Sequence, residues 1–297
     1  MDNPITHSPG FFGEGSIEST KMLGRSLGNR VLTFLCIALS AAALVPLVSI
    51  LYLVVKNGAP LLGWSMFTEL PPAAGMTGGG FGNAVVGTLV MVGLGLGLSA
   101  PPAILAAVYI CEYHPHSPLS GTVRFVAKML TGIPSIICGV FAFAAVVIAT
   151  GKFSAVAGGV ALGVLMLPTI LLTSEQALLG VQQAYREASY GLGATRFQTI
   201  FRVVLPDALP AIMTGIMLAV ARAAGETAPL VFTALFSQFW ASSLMEPTAS
   251  LSVLIYNFSS MPFEHQVKMA WTASLVLVLL VTLTNVTAQV VFGEKHT

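Results

Sequence analysis

Arg222 and Glu226 stand four residues apart, with Thr227 beside them, in an apolar stretch of a chain in which only 8% of positions are charged. On a helix that spacing puts both charges on one face, within reach of each other. A guanidinium is permanently charged, weakly hydrated and planar, so it suits the gripping of an oxyanion through two parallel hydrogen bonds. Glu226 would hold Arg222 in position or, when protonated, donate to a bound anion, and Thr227 would add a hydroxyl. A plainer role stays open, that of a buried ion pair which only fixes helix packing. Gly225 and Pro229 bracket the pair and loosen the helix at that level, which favours access by an ion.

A second group of polar residues precedes it. Glu187-Ala188-Ser189-Tyr190-Gly191-Leu192-Gly193-Ala194-Thr195 runs on through Arg202 to Leu205-Pro206. It sits in a connection of about 35 residues, 174–208, too long to be a passive link. Ala177, Val181, Ala184 and Ala188 form a helical row of mostly small residues. Thr173 with Gln176 predicts a capping box at the start of a helix, and Gly191 with Gly193 its stop. Thr195 with Gln198 predicts a second short helix, closed by Pro206 and carrying Phe197, Ile200, Phe201 and Val204. Two short helices at a glycine hinge, with exposed aromatic residues, suit either a surface that another protein covers or one that rests on lipid.

The elements that must position these groups are apolar and long. With 55% hydrophobic residues and a mean hydropathy of +0.85, the 297 residues hold more apolar surface than one soluble core could bury, so the chain reads as an integral membrane protein. A spanning helix needs about 20 mostly apolar residues. Six stretches qualify: 31–55, 84–110, 127–150, 153–173, 209–236 and 270–292. The fold class is therefore all-α, a six-helix transmembrane domain over 31–292 with the loop 174–208 on one side. Tails of 1–30 and 293–297 flank it. The stretch 31–55 is too long for a signal-peptide core and has no cleavage site, so it counts as a retained span.

Basic residues set the orientation. With a cytoplasmic N-terminus, nine fall inside (Lys21, Arg25, Arg30, Arg124, Lys128, Arg186, Arg196, Arg202, Lys295) and three outside (Lys56, Lys152, Lys268), with Arg222 within the fifth span. That bias predicts both termini in the cytoplasm. Counted from Leu209, Arg222 then lies about 20 Å into a hydrocarbon core about 30 Å thick. A lone charge there costs on the order of 3 kcal/mol or more, which pairing must partly offset.

The remaining features read as structure. Gly93, Gly95 and Gly97 with Pro101-Pro102 predict close helix packing and a kink. Pro134 with Ser135 predicts either a shaped lumen wall or a packing kink. The outer connection 57–83, with Pro71-Pro72 and Gly78-Gly79-Gly80, favours turns. Its counterpart 237–269 has Trp240, Tyr256 and Phe258, with Trp271 just beyond, suiting a membrane interface or a docking surface. Gly151-Lys152 predicts a tight hairpin between spans three and four. Cys36, Cys111 and Cys138 have no ligand or disulfide spacing and read as small buried hydrophobes. The five histidines, 7, 114, 116, 265 and 296, lie in tails or connections.

The loop residues carry a family resemblance. Glu187-Ala188-Ser189, Gly193, Val203 and Leu205-Pro206 resemble the signature loop of ABC-importer permeases, which reads Glu-Ala-Ala, three residues, Gly, nine residues, Ile, one residue, Leu-Pro. Ser189 and Val203 are its two departures. The run Arg222 to Leu230, together with Gly79 to Thr88 and Gly132-Ile133-Pro134-Ser135, is similar to the phosphate-importer permeases, more to the A-type subunit than to its C-type companion. The resemblance covers about residues 80 to 292. It implies a type I importer permease in the bacterial cytoplasmic (inner) membrane that forms half of the translocation pore for phosphate by alternating access.

It implies too that Glu187, Ala188, Gly193, Leu205 and Pro206 couple the chain to an ATPase subunit dimer, while Arg222, Glu226 and Thr227 line the substrate pathway. The other implied partners are a second, C-type permease subunit and an extracytoplasmic phosphate-binding protein, with membrane lipid around the spans and no nucleic acid. ATP and Mg would belong to the ATPase; no cofactor or metal is expected on this chain, and no Gly-x-x-x-x-Gly-Lys-[Ser/Thr] loop occurs in it. Other oxyanions, sulfate, molybdate or phosphonate, would fit a lone arginine equally well. An ATP-independent secondary transporter would need internal inverted repeats, which are not evident. An intramembrane enzyme would need a Ser/His or His-Glu-x-x-His arrangement, which is not visible.

Overall fold

A computed structural model describes residues 18–292; residues 1–17 of the proposed tail 1–30, and the proposed tail 293–297, lie outside them. Among the described residues the secondary structure is helical, without strands. The helices are α1 (Glu18–Gly58), α2 (Ser65–Thr68), α3 (Gly82–Val108), α4 (Pro118–Thr131), α5 (Ser135–Ala142), α6 (Ile148–Thr150), α7 (Ala155–Gly180), α8 (Gln183–Gly191), α9 (Arg196–Thr199), α10 (Leu205–Ala224), α11 (Ala228–Thr233), α12 (Leu251–Ser259) and α13 (Glu264–Phe292). Wide π turns extend α3 (Tyr109–Tyr113), join α5 to α6 (Phe143–Val147) and join α9 to α10 (Ile200–Val204). Among the described residues five helical runs are long and apolar enough to cross a membrane, and a bent pair, taken as one span, makes a sixth.

The chain divides into two units, Met1–Leu53 and Val54–Thr297. In the first, α1 is helical well before the apolar stretch at Val31, and the described side chains from residue 29 to 53 are exposed, Cys36 among them. The reading of Cys36 as buried is therefore corrected, whereas Cys138 is buried.

In the second unit small residues let backbones approach. A Cβ placed on Gly95 would lie 3.1 Å from Gly159 O, Gly163 N and Leu162 Cβ, and one on Gly215 would lie 2.1 Å from Thr173 Oγ1. With no water between apolar helices to be released, such close van der Waals packing is what holds spans together. Gly93 and Gly97 have nothing within 4 Å, so only Gly95 of the three serves packing. Met91, Leu162, Met166, Ile170, Leu178 and Ile212 form the main buried cluster. A second cluster joins Phe81, Leu251, Leu254, Phe258 and Met269.

Several sequence boundaries shift, each for a local reason. The third span does not start at 127: α4 ends at Thr131, and α5–α6 leaves it at 106° around Gly132 and Pro134. The break at Pro134 is thus a sharp bend between two helices. Nor does the helix predicted from Thr173 start there. Thr173 Oγ1 donates back to Thr169 O at 2.8 Å, and α7 continues to Gly180 because nothing before Val181 breaks it. The row 177, 181, 184, 188 is accordingly split between α7 and α8. Pro206 does not end a helix. It sits in the first turn of α10, after the π turn, and the helical run is continuous over Arg196–Ala224; a widened turn relieves the proline's missing donor.

The fifth span is not one helix over 209–236, since α10 stops at Ala224 and α11 restarts at Ala228. The connection 237–269 contains a helix that sequence periodicity missed, α12, capped by Ser250 and burying Leu251, Val253, Leu254 and Phe258. Gly151, with φ of 69°, makes the predicted tight turn between spans three and four.

Candidate functional site

Around Arg222 the sequence produces a helix end. Gly225 closes α10, its N–H donating to Arg222 O, and the Glu226 N–H donates to Ala223 O, both at 3.2 Å. These i to i+3 bonds tighten the last turn and halt the helix. Pro229 stands at the start of α11, where a missing donor costs nothing. Arg222 is therefore in the last turn of α10, where the carbonyl end of the helix favours a cation. The expectation of two charges within a continuous helix is corrected, because Glu226 lies beyond the helix end.

The pairing itself persists. Arg222 Nε is 3.6 Å from Glu226 Oε1, with the arginine side chain 47% exposed and the glutamate 17%. A guanidinium half exposed beside a mostly covered carboxylate keeps donors for a further anion. Ser252 Oγ of α12 donates to Glu226 O at 2.8 Å, fixing the backbone of the break. Thr227 precedes α11 half-buried, and its hydroxyl makes no capping bond. Behind the break, Gly139 of α5 lies against Pro229, a Cβ there falling 2.6 Å from Pro229 Cα.

The loop residues form a second group. Glu187 and Ala188 are exposed on α8, none of whose residues is buried. Gly193 adopts φ of 82° in the turn after α8, a conformation that suits glycine. The capping box predicted at Thr195 and Gln198 is present, both bonds made. Leu205 is half-buried and Pro206 exposed at the start of α10. Ser189 Oγ and Thr199 Oγ1 share a hydrogen bond at 2.9 Å that joins α8 to the second arm. Leu192 is 90% exposed and Phe197 60%, with the Phe197 and Phe201 rings 4.4 Å apart. The two groups stay apart: α10 separates Leu205 from Arg222 by on the order of 25 Å of helix rise.

Three arginines that sequence reasoning treated only as topology signals gather beside α8 with two glutamates it did not single out. Arg186 pairs with Glu112 at 2.6 Å, Arg124 pairs with Glu175, and the Arg196 guanidinium donates to Glu112 O. Glu112 and Glu175 are 9% and 5% exposed. Removing one partner of a buried pair costs about 3–5 kcal/mol. The available signal was the acids themselves, two carboxylates at the ends of apolar stretches.

Among the described residues no group of three or more His, Cys, Asp or Glu could hold a metal ion. Residues 99–292 match the family described as "Binding-protein-dependent transport system inner membrane component". The chain is 37% identical over 275 residues to the "Phosphate transport system permease protein PstA" of Yersinia pestis, covering 93% of each protein. It is 33% identical over 258 residues to the "Probable phosphate transport system permease protein PstA" of Methanocaldococcus jannaschii, covering 86% of this chain and 90% of the relative. In fold it is similar to a bacterial ABC transporter involved in the import of the acidic polysaccharide alginate, with a TM-score of 0.62 at 15% identity, over 93% of this chain and all of that one.

Proposed function

Since this chain belongs to the binding-protein-dependent inner-membrane transport components and, within them, to the PstA phosphate permeases, we propose that it forms half of a phosphate pore with Arg222, Glu226 and Thr227 as the anion's station. The chain is a multi-pass permease subunit of a phosphate ABC importer. The observation that carries the site reading is the half-exposed guanidinium of Arg222 at a broken helix end within a span. Broken helices at membrane depth occur where backbone lines a cavity or an ion's path. The ion pair with Glu226 leaves the station with little net charge, which suits a cargo that must be held and then released.

In this reading ATP is hydrolysed on a separate ATPase dimer, which binds ATP and Mg and docks on residues 187–206. Support for the dock is its exposed apolar surface, Leu192, Phe197 and Phe201, beside the exposed Glu187 and Ala188. A C-type permease subunit completes the pore, and an extracytoplasmic phosphate-binding protein delivers the cargo; support for the latter is the dependence on a binding protein that the family description names. Closure of the ATPase dimer moves the dock, and the spans rock between inward and outward states whose populations ATP and cargo shift.

The test is uptake of labelled phosphate by cells whose importer carries Arg222→Ala. Uptake is expected to fall at least about 100-fold, in the range of losing a desolvated charge-assisted contact, with normal amounts of assembled complex. Normal uptake by that variant would remove the anion station from Arg222.

A further inference from the structure

The two arms of the dock are held differently: Ile200 and Val204 anchor the second in the core, whereas charge, not burial, holds α8. Helix α8 buries none of its residues, so the hydrophobic effect does little to fix it. It is also cut off from α7: Val181 and Gln182, with ψ of 131° and 134°, are extended between the two helices. A two-residue extended link can flex at its dihedrals, and a push on α8 could be absorbed there.

Arg186 bridges that link. From α8 its guanidinium donates to Val181 O at 2.7 Å and to Leu178 O at 2.9 Å, carbonyls at the end of α7. The same group reaches Glu112 Oε1 through Nη2 at 2.6 Å and through Nε at 3.2 Å. Glu112 lies in the π turn that extends α3, so one side chain ties α8 to the ends of two spans. The side chains are 14% and 8% exposed, leaving the pair little screened by salt.

Neighbouring arginines stiffen the same corner. Arg196, at the start of α9, donates to Glu112 O and to Tyr113 O, and lies 5.2 Å from the Tyr113 ring centre. Arg124 of α4 pairs with Glu175 of α7 and donates to Ile110 O at 2.9 Å. Three guanidinium groups and two carboxylates thus join α3, α4, α7, α8 and α9.

We propose that Arg186, held by Glu112, is a positioning residue that makes the dock move as one body with the ends of the second and fourth spans. Displacement of α8 then reaches the pore helices and is not lost at Val181-Gln182. The inference rests on the reading of residues 187–206 as the ATPase dock.

The experiment uses the complete importer in lipid vesicles, with ATP turnover and phosphate uptake measured on one preparation. For Arg186→Met and Glu112→Gln, turnover should stay within about twofold, while phosphate moved per ATP falls about fivefold or more, within the range of mutational coupling changes. Arg186→Lys, which keeps the charge toward Glu112 without the fork, should recover part of that loss. An unchanged ratio in Arg186→Met and Glu112→Gln overturns the proposal, and lower abundance alone does not alter a ratio. Spin labels at Ala184 and Leu105 provide a second measure should Arg186→Met not assemble. Their distance distribution is expected to broaden in Glu112→Gln, and an unbroadened one overturns the clamp. Failure of the dock itself would look different: with Arg186 and Glu112 intact, turnover would then be indifferent to changes at Leu192 and Gly193.

Discussion

Gly139 of α5 and Pro229 of α11 are in backbone contact, so close that a Cβ at 139 would lie 2.6 Å from Pro229 Cα and 3.1 Å from Pro229 O. The broken fifth span is therefore braced from behind by the third, and the position of Arg222 and Glu226 depends on that brace. Gly139→Val should push the two segments apart and destabilise the chain by about 1–3 kcal/mol, as overpacking does. Thermal unfolding of the detergent-solubilised importer would show it. Gly93→Ala is the control, since nothing lies within 4 Å of the added Cβ, and it should be neutral or stabilising by up to about 1 kcal/mol. Equal effects of the two would refute the bracing role.

Glu226 offsets the charge of Arg222 at 3.6 Å. Glu226→Gln keeps the shape, and the Ser252 hydroxyl still has the backbone carbonyl of residue 226 to bond, but the guanidinium is left uncompensated. A more positive station holds an anion longer. Both KM and the maximal rate of phosphate uptake should therefore fall, each by about three- to tenfold, a coupling of about 1 kcal/mol. A rise in KM would show that Glu226 aids binding directly and not through release.

At Gly193 the demand is on backbone alone. Its φ is 82°, and an added Cβ meets nothing within 4 Å. Gly193→Asn should be tolerated, since asparagine visits this region readily, whereas Gly193→Val should cost about 1–2 kcal/mol and distort the turn. Co-purification of the ATPase subunit and its ATP turnover would separate the two variants; identical behaviour would exclude the hinge.

Leu192 is 90% exposed at the tip of the dock. A side chain with no internal contacts to lose can be changed without harm to the fold, so Leu192→Asp should leave thermal stability within about 0.5 kcal/mol. Burial of that leucine by a partner is worth about 1.5–3 kcal/mol, so ATPase binding should weaken by about 10- to 100-fold. Titration of the ATPase onto the permease in nanodiscs measures this, and unaltered affinity would move the dock elsewhere.

What could be read from the residues alone was whatever depends on length and local spacing. Apolar runs long enough to span lipid, the order Glu187, Gly193, Pro206, the capping box at Thr195, and the pair Arg222 and Glu226 are all properties of neighbours along the chain. The sites where continuous helix gives way were legible only as glycines and prolines. Whether Pro134 bends a span by 106°, and whether Pro206 ends a helix or starts one, depends on which packing partner accepts the freed backbone. The helix α12, hidden in a polar connection, exists because Phe81, far away in sequence, and Met269 of α13 bury its apolar face. The clamp was the least visible of all. Glu112 and Arg186 are 74 residues apart, and a charge pair across that distance has no periodicity or motif; it arises only when three helix ends are folded into one corner and water is excluded between them.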